Sequence, residues 1–375
     1  MEKILILANN AGGLYNFRFE LINKLISRGY EVYFAVPQSM DNNDVKLIIE
    51  SGAKHIQTSM NRRGKNPIEE LKLIKKYKKI VKEINPNIIL TYTVKPNIYG
   101  NYVANKFNKP VIMNITGIGS SLATGKLKYI IKKMYKYACS KANVAFFQNE
   151  GNRDFFIENN MITKTKTKLI PGSGVNIEKF KSMGKTKKDD IIRFLFIGRI
   201  MKEKGIEEYL KVAEKLTNKY SNVEFQLLGS FEEDEYKDII SNNKNKRIKY
   251  LGISNDVRNE IREVDCIVNP SYHEGMSNVL LEGAAMGKPL IASNIPGCKE
   301  IIDEGFNGYL FEVKSVKFLE EKLVQFINLG NEIRESMGKN SRKKVQKEFD
   351  RNIVINEYMK AINNILKEGC QDESI

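Results

Sequence analysis

Short apolar runs alternate along the chain with segments in which apolar side chains recur every third or fourth position. Ile4 to Ala8 is the first run, a helical pattern follows from about Asn16, and Glu31 to Val36 is the next run. Asn87 to Tyr92, Pro110 to Ile115 and Asn143 to Gln148 continue the series. Strands that are apolar along their whole length are buried on both faces, as in a parallel sheet covered by helices, so the pattern predicts βαβ units. After the polar stretch Lys181 to Asp190 the alternation restarts at Arg193-Phe194-Leu195-Phe196-Ile197-Gly198. Further strands are expected near Val223 to Leu228, Asp265 to Asn269 and Pro289 to Ala292. The fold class is therefore α/β, with two Rossmann-like doubly wound domains. Residues 1–172 form the first, residues 173–350 the second, and a helix within 351–375 returns toward the first. Sheets of this kind bind ligands beyond the carboxyl ends of their strands, so two facing domains would share a cleft there.

Length agrees with that division, because 375 residues exceed what one hydrophobic core usually organises. Met1-Glu2-Lys3 leads straight into the first apolar run without a signal-peptide pattern, and no run approaches a bilayer span. Cys139, Cys266, Cys298 and Cys370 lack metal-ligand spacing and fit structural thiols in a reducing cytoplasm. The formal charge of +16 is unevenly distributed. Lys126, Lys128, Lys132, Lys133, Lys136 and Lys141 fall in a stretch without acids. Leu127, Ile130, Ile131, Met134 and Tyr137 recur among them at helical spacing. A second lysine-rich helix is expected from Leu71 to Ile84. Such helices serve either as ordinary solvated surface or as an interface to anionic lipid headgroups. Stacking platforms and base-reading motifs are missing, which argues against a nucleic-acid partner.

Three places carry candidate chemistry. Gly12-Gly13 follows the first strand, where bare backbone admits a ligand and helix N–H groups attract an anion; a tight turn uses glycine for steric reasons alone. The dinucleotide fingerprint G-x-G-x-x-G is absent there, which argues against nicotinamide. Arg199 and Lys204 follow the first strand of the second domain. An arginine fork and a lysine point charge suit a diphosphate whose negative charge grows as a glycosyl bond to it breaks. Glu274 and Glu282 form the third. Their spacing recurs in Glu150 with Glu158, Glu224 with Glu232 and Glu312 with Glu320, so spacing carries no weight. Context does: a strand ends near Pro270-Ser271, a glycine turn follows, and Ser277 caps a helix from about Asn278 to Met286.

The stretch from Asn269-Pro-Ser-Tyr-His-Glu-Gly through Glu282 to Pro289, with Ile295-Pro-Gly-Cys-Lys-Glu after it, resembles the signature of the family 4 retaining glycosyltransferases of GT-B fold. Phe196-Ile-Gly-Arg-Ile-Met-Lys-Glu-Lys-Gly and Pro171-Gly-Ser-Gly-Val-Asn resemble it too, and the likeness covers essentially the whole chain. It implies that Arg199 and Lys204 hold a donor diphosphate, that Glu282 holds its ribose, and that Glu274 sits beside the donor sugar. Gly275, Met276, Ser277 and Asn278 would offer backbone N–H groups to sugar and phosphate. It implies no metal and no cofactor, the two cations and the helix end supplying the positive charge.

Many members of that family carry a histidine in a His-Gly turn of the first domain; this chain has Asn114-Ile115-Thr116-Gly117 there, which makes Thr116 and Gly117 the candidates to replace it. Gly13-Leu14-Tyr15-Asn16-Phe17-Arg18 and the segment from Thr91 to Gly100 look like the subgroup that builds capsule, O-antigen or glycan precursors on a polyprenyl diphosphate. The resemblance thus implies transfer of an N-acetylhexosamine or hexose, UDP-linked, to a polyprenyl-diphosphate-linked saccharide at the inner face of the cytoplasmic membrane. Arg18 and Lys95 would meet acceptor phosphate or sugar, or stand as solvated surface charges. Two rival readings remain, a nucleotide-sugar epimerase of similar architecture and a basic RNA- or membrane-binding protein with a vestigial sugar site.

Overall fold

The computed structural model describes residues 1–61, 66–117, 128–186 and 189–372. They form two compact units, residues 1–173 with Asn352 onward, and Gly174–Arg351.

In the first unit the chain runs β1 (Lys3–Leu7), α1 (Ala11–Ser27), β2 (Glu31–Val36), α2 (Asn43–Glu50), β3 (Lys54–Gln57), α3 (Pro67–Ile84) and β4 (Ile88–Tyr92). A π-helical turn at Pro96–Gly100 then leads into α4 (Asn101–Lys106), β5 (Val111–Ile115), α5 (Lys128–Lys141), β6 (Val144–Phe147), α6 (Glu150–Glu158) and β7 (Thr167–Leu169). The sheet is parallel with order β3-β2-β1-β4-β5-β6-β7. Its central strands are buried along their length, as the apolar runs require.

In the second unit the order is β8 (Ile192–Ile197), α7 (Ile206–Lys219), β9 (Val223–Leu228), α8 (Glu235–Ser241), β10 (Ile248–Tyr250), α9 (Arg258–Arg262) and β11 (Cys266–Asn269). Next come α10 (Asn278–Ala285), β12 (Leu290–Ser293), β13 (Gly308–Phe311), α11 (Val316–Ile327) and α12 (Asn331–Glu348). This sheet is also parallel, with order β10-β9-β8-β11-β12-β13. The last helix, α13 (Arg351–Asp372), sends Val354, Ile355, Tyr358, Ala361, Ile362 and Ile365 into the core of the first unit beside β1, β2 and α1.

In each sheet the strand order reverses once, between β1 and β4 and between β8 and β11. A crevice opens beyond the carboxyl ends at such a reversal, and ligands of open α/β sheets bind there.

Two expectations need correction. The first helix starts at Ala11 rather than near Asn16, because Asn10 caps it through a hydrogen bond from the Gly13 N–H. Gly12 and Gly13 thus lie inside its first turn. In α5, Ile131 and Met134 pack on the core with Tyr135, Ala138 and Cys139. Tyr129 and Ile130 are left 75% and 56% exposed beside Lys128, Lys132 and Lys133. The apolar positions read as one face are split between core and solvent. Lys126 and Leu127 lie outside the described residues.

Candidate active site

The reversal of the second sheet brings together the loop after β8 and the loop after β11. Gly198-Arg199 leaves β8, and Lys204 ends a 3-10 turn, Lys202–Lys204, just before α7. Gly205 begins that helix in the left-handed region, φ 73°; a Cβ on it would lie 2.1 Å from the Pro270 carbonyl oxygen. Only glycine allows the two loops to approach this closely. A backbone hydrogen bond from Tyr272 to Glu203 (2.9 Å) and one from the Tyr272 hydroxyl to the buried Glu208 (2.8 Å) hold the loops together. The result is a 2.6 Å ion pair between Lys204 Nζ and Glu274 Oε1. Arg199 remains about half exposed, with Nη1 3.5 Å from Glu232. Glu232 is one of the glutamates set aside on spacing, and no pattern in the sequence marks it as the partner of Arg199.

Glu274 is followed by the cap of α10. The Ser277 hydroxyl accepts from the Leu280 N–H and from Asn269 Nδ2, the latter at 2.6 Å, while Ser277 N–H donates to the Gly297 carbonyl at 2.8 Å. Gly297, φ 88°, approaches Gly275 so closely that a Cβ would lie 2.6 Å from its carbonyl oxygen. The expected row of free N–H groups is therefore only partly available, since that of Ser277 is already used. Met276 is buried in the core rather than lining a ligand surface, and Asn278 is half-buried. The turn is a braced scaffold whose polar groups largely satisfy each other.

Glu282 lies one turn into α10, half-buried. Among the described residues its carboxylate has no hydrogen-bond or ion-pair partner. Burial pushes its carboxyl up to about 7, partly offset by Arg351 and Lys179, with Asp256 adding to the rise. An unpaired carboxylate of this kind can accept two hydroxyl hydrogen bonds from a diol, and those bonds favour its ionised form. A larger cavity of about 870 Å³ lies at the amino ends of β8, β11 and β12, and no candidate residue lines it.

In the first unit Gly12 and Gly13 are near the sheet reversal, but the Gly13 N–H is taken by Asn10 and the Ala11 N–H by Gln38. That leaves less anion-binding capacity than the glycine pair suggests. Arg18 is neither solvated nor ion-paired among the described residues. It is 4% exposed, its guanidinium lies 4.9 Å from the Tyr92 ring centroid and 5.9 Å from that of Tyr358, and Nη1 donates to the Phe17 carbonyl. Its Nε has no hydrogen-bond partner among the described residues. Lys95, in contrast, is engaged: it pairs with Glu70 and donates to the Asn61 carbonyl at 2.7 Å, so it is neither a solvated charge nor a free cation for an acceptor. Thr116 and Gly117 line a cavity of about 240 Å³ with Thr93, Val94, Asn97 and Tyr135.

Among the described residues no three His, Cys, Asp or Glu side chains gather as metal ligands would, and no helix is long and apolar enough to cross a membrane. Cys139, Cys266 and Cys298 are buried free thiols, and burial pushes Cys139 up to about 12, which makes it unreactive.

Comparison with known proteins matches residues 3–149 to the family described as Glycosyl transferase 4-like and residues 177–344 to Glycosyl transferases group 1. The chain is 27% identical to the N,N'-diacetylbacillosaminyl-diphospho-undecaprenol alpha-1,3-N-acetylgalactosaminyltransferase of Campylobacter jejuni, over 97% of this chain and 99% of that one. It is 26% identical to the UDP-Gal:alpha-D-GlcNAc-diphosphoundecaprenol alpha-1,3-galactosyltransferase of Escherichia coli, over 76% of each. Among solved structures, a glycosyltransferase from Rickettsia africae superposes with a TM-score of 0.78 at 22% identity, covering 98% of this chain and 99% of that one, which supports the GT-B fold.

Proposed function

The chain belongs to the glycosyltransferases, 4-like in its first half and group 1 in its second, and on that premise we propose that it transfers a sugar from a UDP-sugar to a polyprenyl-diphosphate-linked saccharide in cell-surface glycan synthesis. The two named relatives act on undecaprenyl-diphosphate-linked sugars, and one uses UDP-Gal. The carrying observation is the 2.6 Å pair of Lys204 with Glu274, which joins two motifs distant in sequence within the same unit as the unpaired Glu282.

In this reading the second unit takes the donor. Arg199 and Lys204 bind the diphosphate and stabilise the charge it gains as the glycosyl bond breaks. Glu274 orients Lys204 and borders the sugar, and Glu282 accepts hydrogen bonds from the ribose hydroxyls. The acceptor hydroxyl attacks from the face the diphosphate leaves and passes its proton to the departing phosphate oxygen, so anomeric configuration is retained without a covalent enzyme intermediate. The protein cations supply the positive charge, and turnover is expected to survive a chelator. The first unit takes the acceptor, and the exposed Tyr129 and Ile130 beside the lysines of α5 attach the protein peripherally to anionic lipid.

The test is a panel of nucleotide sugars against polyprenyl-diphosphate saccharides, with the product linkage and anomeric configuration read by NMR. Donor alone is expected to stay unchanged apart from slow hydrolysis. Conversion of the donor to another sugar without acceptor would establish an epimerase and sink the proposal.

A further inference from the structure

Thr93 is the first residue after β4, where the first sheet reverses its strand order. Its φ is 73°. The other described non-glycine residues with positive φ are Asn85, Asn108, Asn160 and Lys314. Asparagine tolerates this region, whereas a β-branched threonine is strained in it. A threonine where a strand enters a helical turn usually caps that turn with its hydroxyl. Thr93 does not: its carbonyl accepts from the Asn97 N–H at 2.9 Å, but its Oγ1 is buried and has no hydrogen-bond partner among the described residues. Strain and an unsatisfied hydroxyl thus coincide in one residue, and neither stabilises the fold.

The surroundings are built more firmly. Thr91 Oγ1 donates to Asn97 Oδ1 at 2.8 Å, Asn97 Nδ2 donates to the Asn114 carbonyl at 2.9 Å, and Asn114 Nδ2 donates to the Tyr358 hydroxyl at 2.6 Å. This chain ties the ends of β4 and β5 to α13. Thr93, Asn97, Thr116 and Gly117 share the wall of the 240 Å³ cavity. Pockets for drug-sized ligands run from about 300 to 1,000 Å³, so this one suits a single sugar ring with polar groups on its rim.

We infer that Thr93 is a saccharide clamp: the strained turn holds its hydroxyl at a one-sugar pocket, where a hydroxyl or acetamido group of the acceptor's sugar provides the missing hydrogen-bond partner. The inference rests on the glycosyltransferase reading and adds a specificity-determining residue to it. A residue needed only for folding would weaken the fold when replaced. A clamp that holds strain for its ligand behaves in the opposite way, because glycine removes both strain and hydroxyl.

The experiment uses the full chain with Thr93→Gly and Thr93→Ser. Expected for Thr93→Gly are an unchanged or higher Tm, an unchanged nucleotide Kd and an acceptor KM raised about tenfold or more, a typical cost of one lost polar contact to a ligand. Thr93→Ser restores the acceptor KM to within about threefold. A lower Tm for Thr93→Gly, an unchanged acceptor KM, or no rescue by serine would overturn the clamp. Should the wild-type protein turn over no polyprenyl-linked saccharide, the functional reading falls first. Saturation-transfer NMR with N-acetylglucosamine and N-acetylgalactosamine then decides the pocket: transfer lost in Thr93→Gly upholds it, and equal transfer in both proteins rejects it.

Discussion

The two sheet reversals use the same topology for opposite polar arrangements. At the reversal in the second unit nearly every polar group is paired: Lys204 with Glu274, Tyr272 with Glu208, Ser277 with Asn269 and Gly297, and Arg199 with Glu232. Among the described residues the exceptions are Glu282 and the buried Ser293 hydroxyl at the end of β12. At the reversal in the first unit Arg18 Nε, the Tyr92 hydroxyl, Thr93 Oγ1 and Asn114 Oδ1 are all buried without a hydrogen-bond partner among the described residues. A site for a charged diphosphate benefits from cations oriented in advance, because their reorganisation is then not required at the moment of reaction. Buried polar groups left unsatisfied cost stability and imply a partner that arrives later. Under the proposed function the first arrangement would serve as a preformed donor site and the second as a site completed by its ligand.

Four measurements sharpen or break that contrast. The largest effect is expected from Lys204→Ala, with turnover falling about 100-fold or more, as when one transition-state donor is removed; near-normal turnover in both this variant and Arg199→Ala would end the diphosphate assignment. Next, Gly205→Ala forces a side chain against the Pro270 carbonyl at positive φ. It is expected to cost at least about 1–3 kcal/mol in denaturant unfolding and to weaken nucleotide binding, since the two loops must part.

A smaller, pH-dependent effect belongs to Glu282. Its carboxyl titrates at about 7, and ribose hydroxyls favour the ionised form. Nucleotide affinity should therefore rise about tenfold from pH 6 to 8, and a flat profile is expected in Glu282→Gln. The stability of the ligand-free chain runs the other way. The folded carboxyl binds its proton more tightly than the unfolded one, so this contribution is complete below the ordinary carboxylate range and is lost as pH rises through about 7. The smallest effect on stability is expected from Arg18→Met. An apolar side chain of similar length should leave Tm unchanged or slightly raised, because among the described residues the guanidinium has no carboxylate partner to lose. Strong destabilisation would show instead that its stacking on Tyr92 and Tyr358 holds the fold.

The elements around the proposed donor site were legible because they are encoded locally. The strand end, the Ser277 cap and the helix bearing Glu282 are consecutive, and glycine and proline punctuate them. Strands β3, β7, β10 and β13 escaped notice: β3, β7 and β10 are short and largely exposed and lack a continuous apolar run, and the buried β13 is only four residues long. Glu232 escaped because it resembles any other glutamate until β8 and β9 pair and bring it to Arg199. Arg18 was read as an acceptor contact or a surface charge, and Lys95 likewise. Their separation into a buried guanidinium with no carboxylate partner among the described residues and an ammonium held by Glu70 depends on neighbours that are remote in the chain.

The sequence by itself determined the alternation of strands and helices, hence two parallel sheets, and through its motifs the glycosyltransferase family. These follow from hydrophobic periodicity and from glycines required by close backbone approach, both properties of short segments. Only the tertiary structure decided which charges neutralise each other and which polar atoms remain unsatisfied. It also set the strain at Thr93, because a single φ at a strand end is settled by everything packed around it.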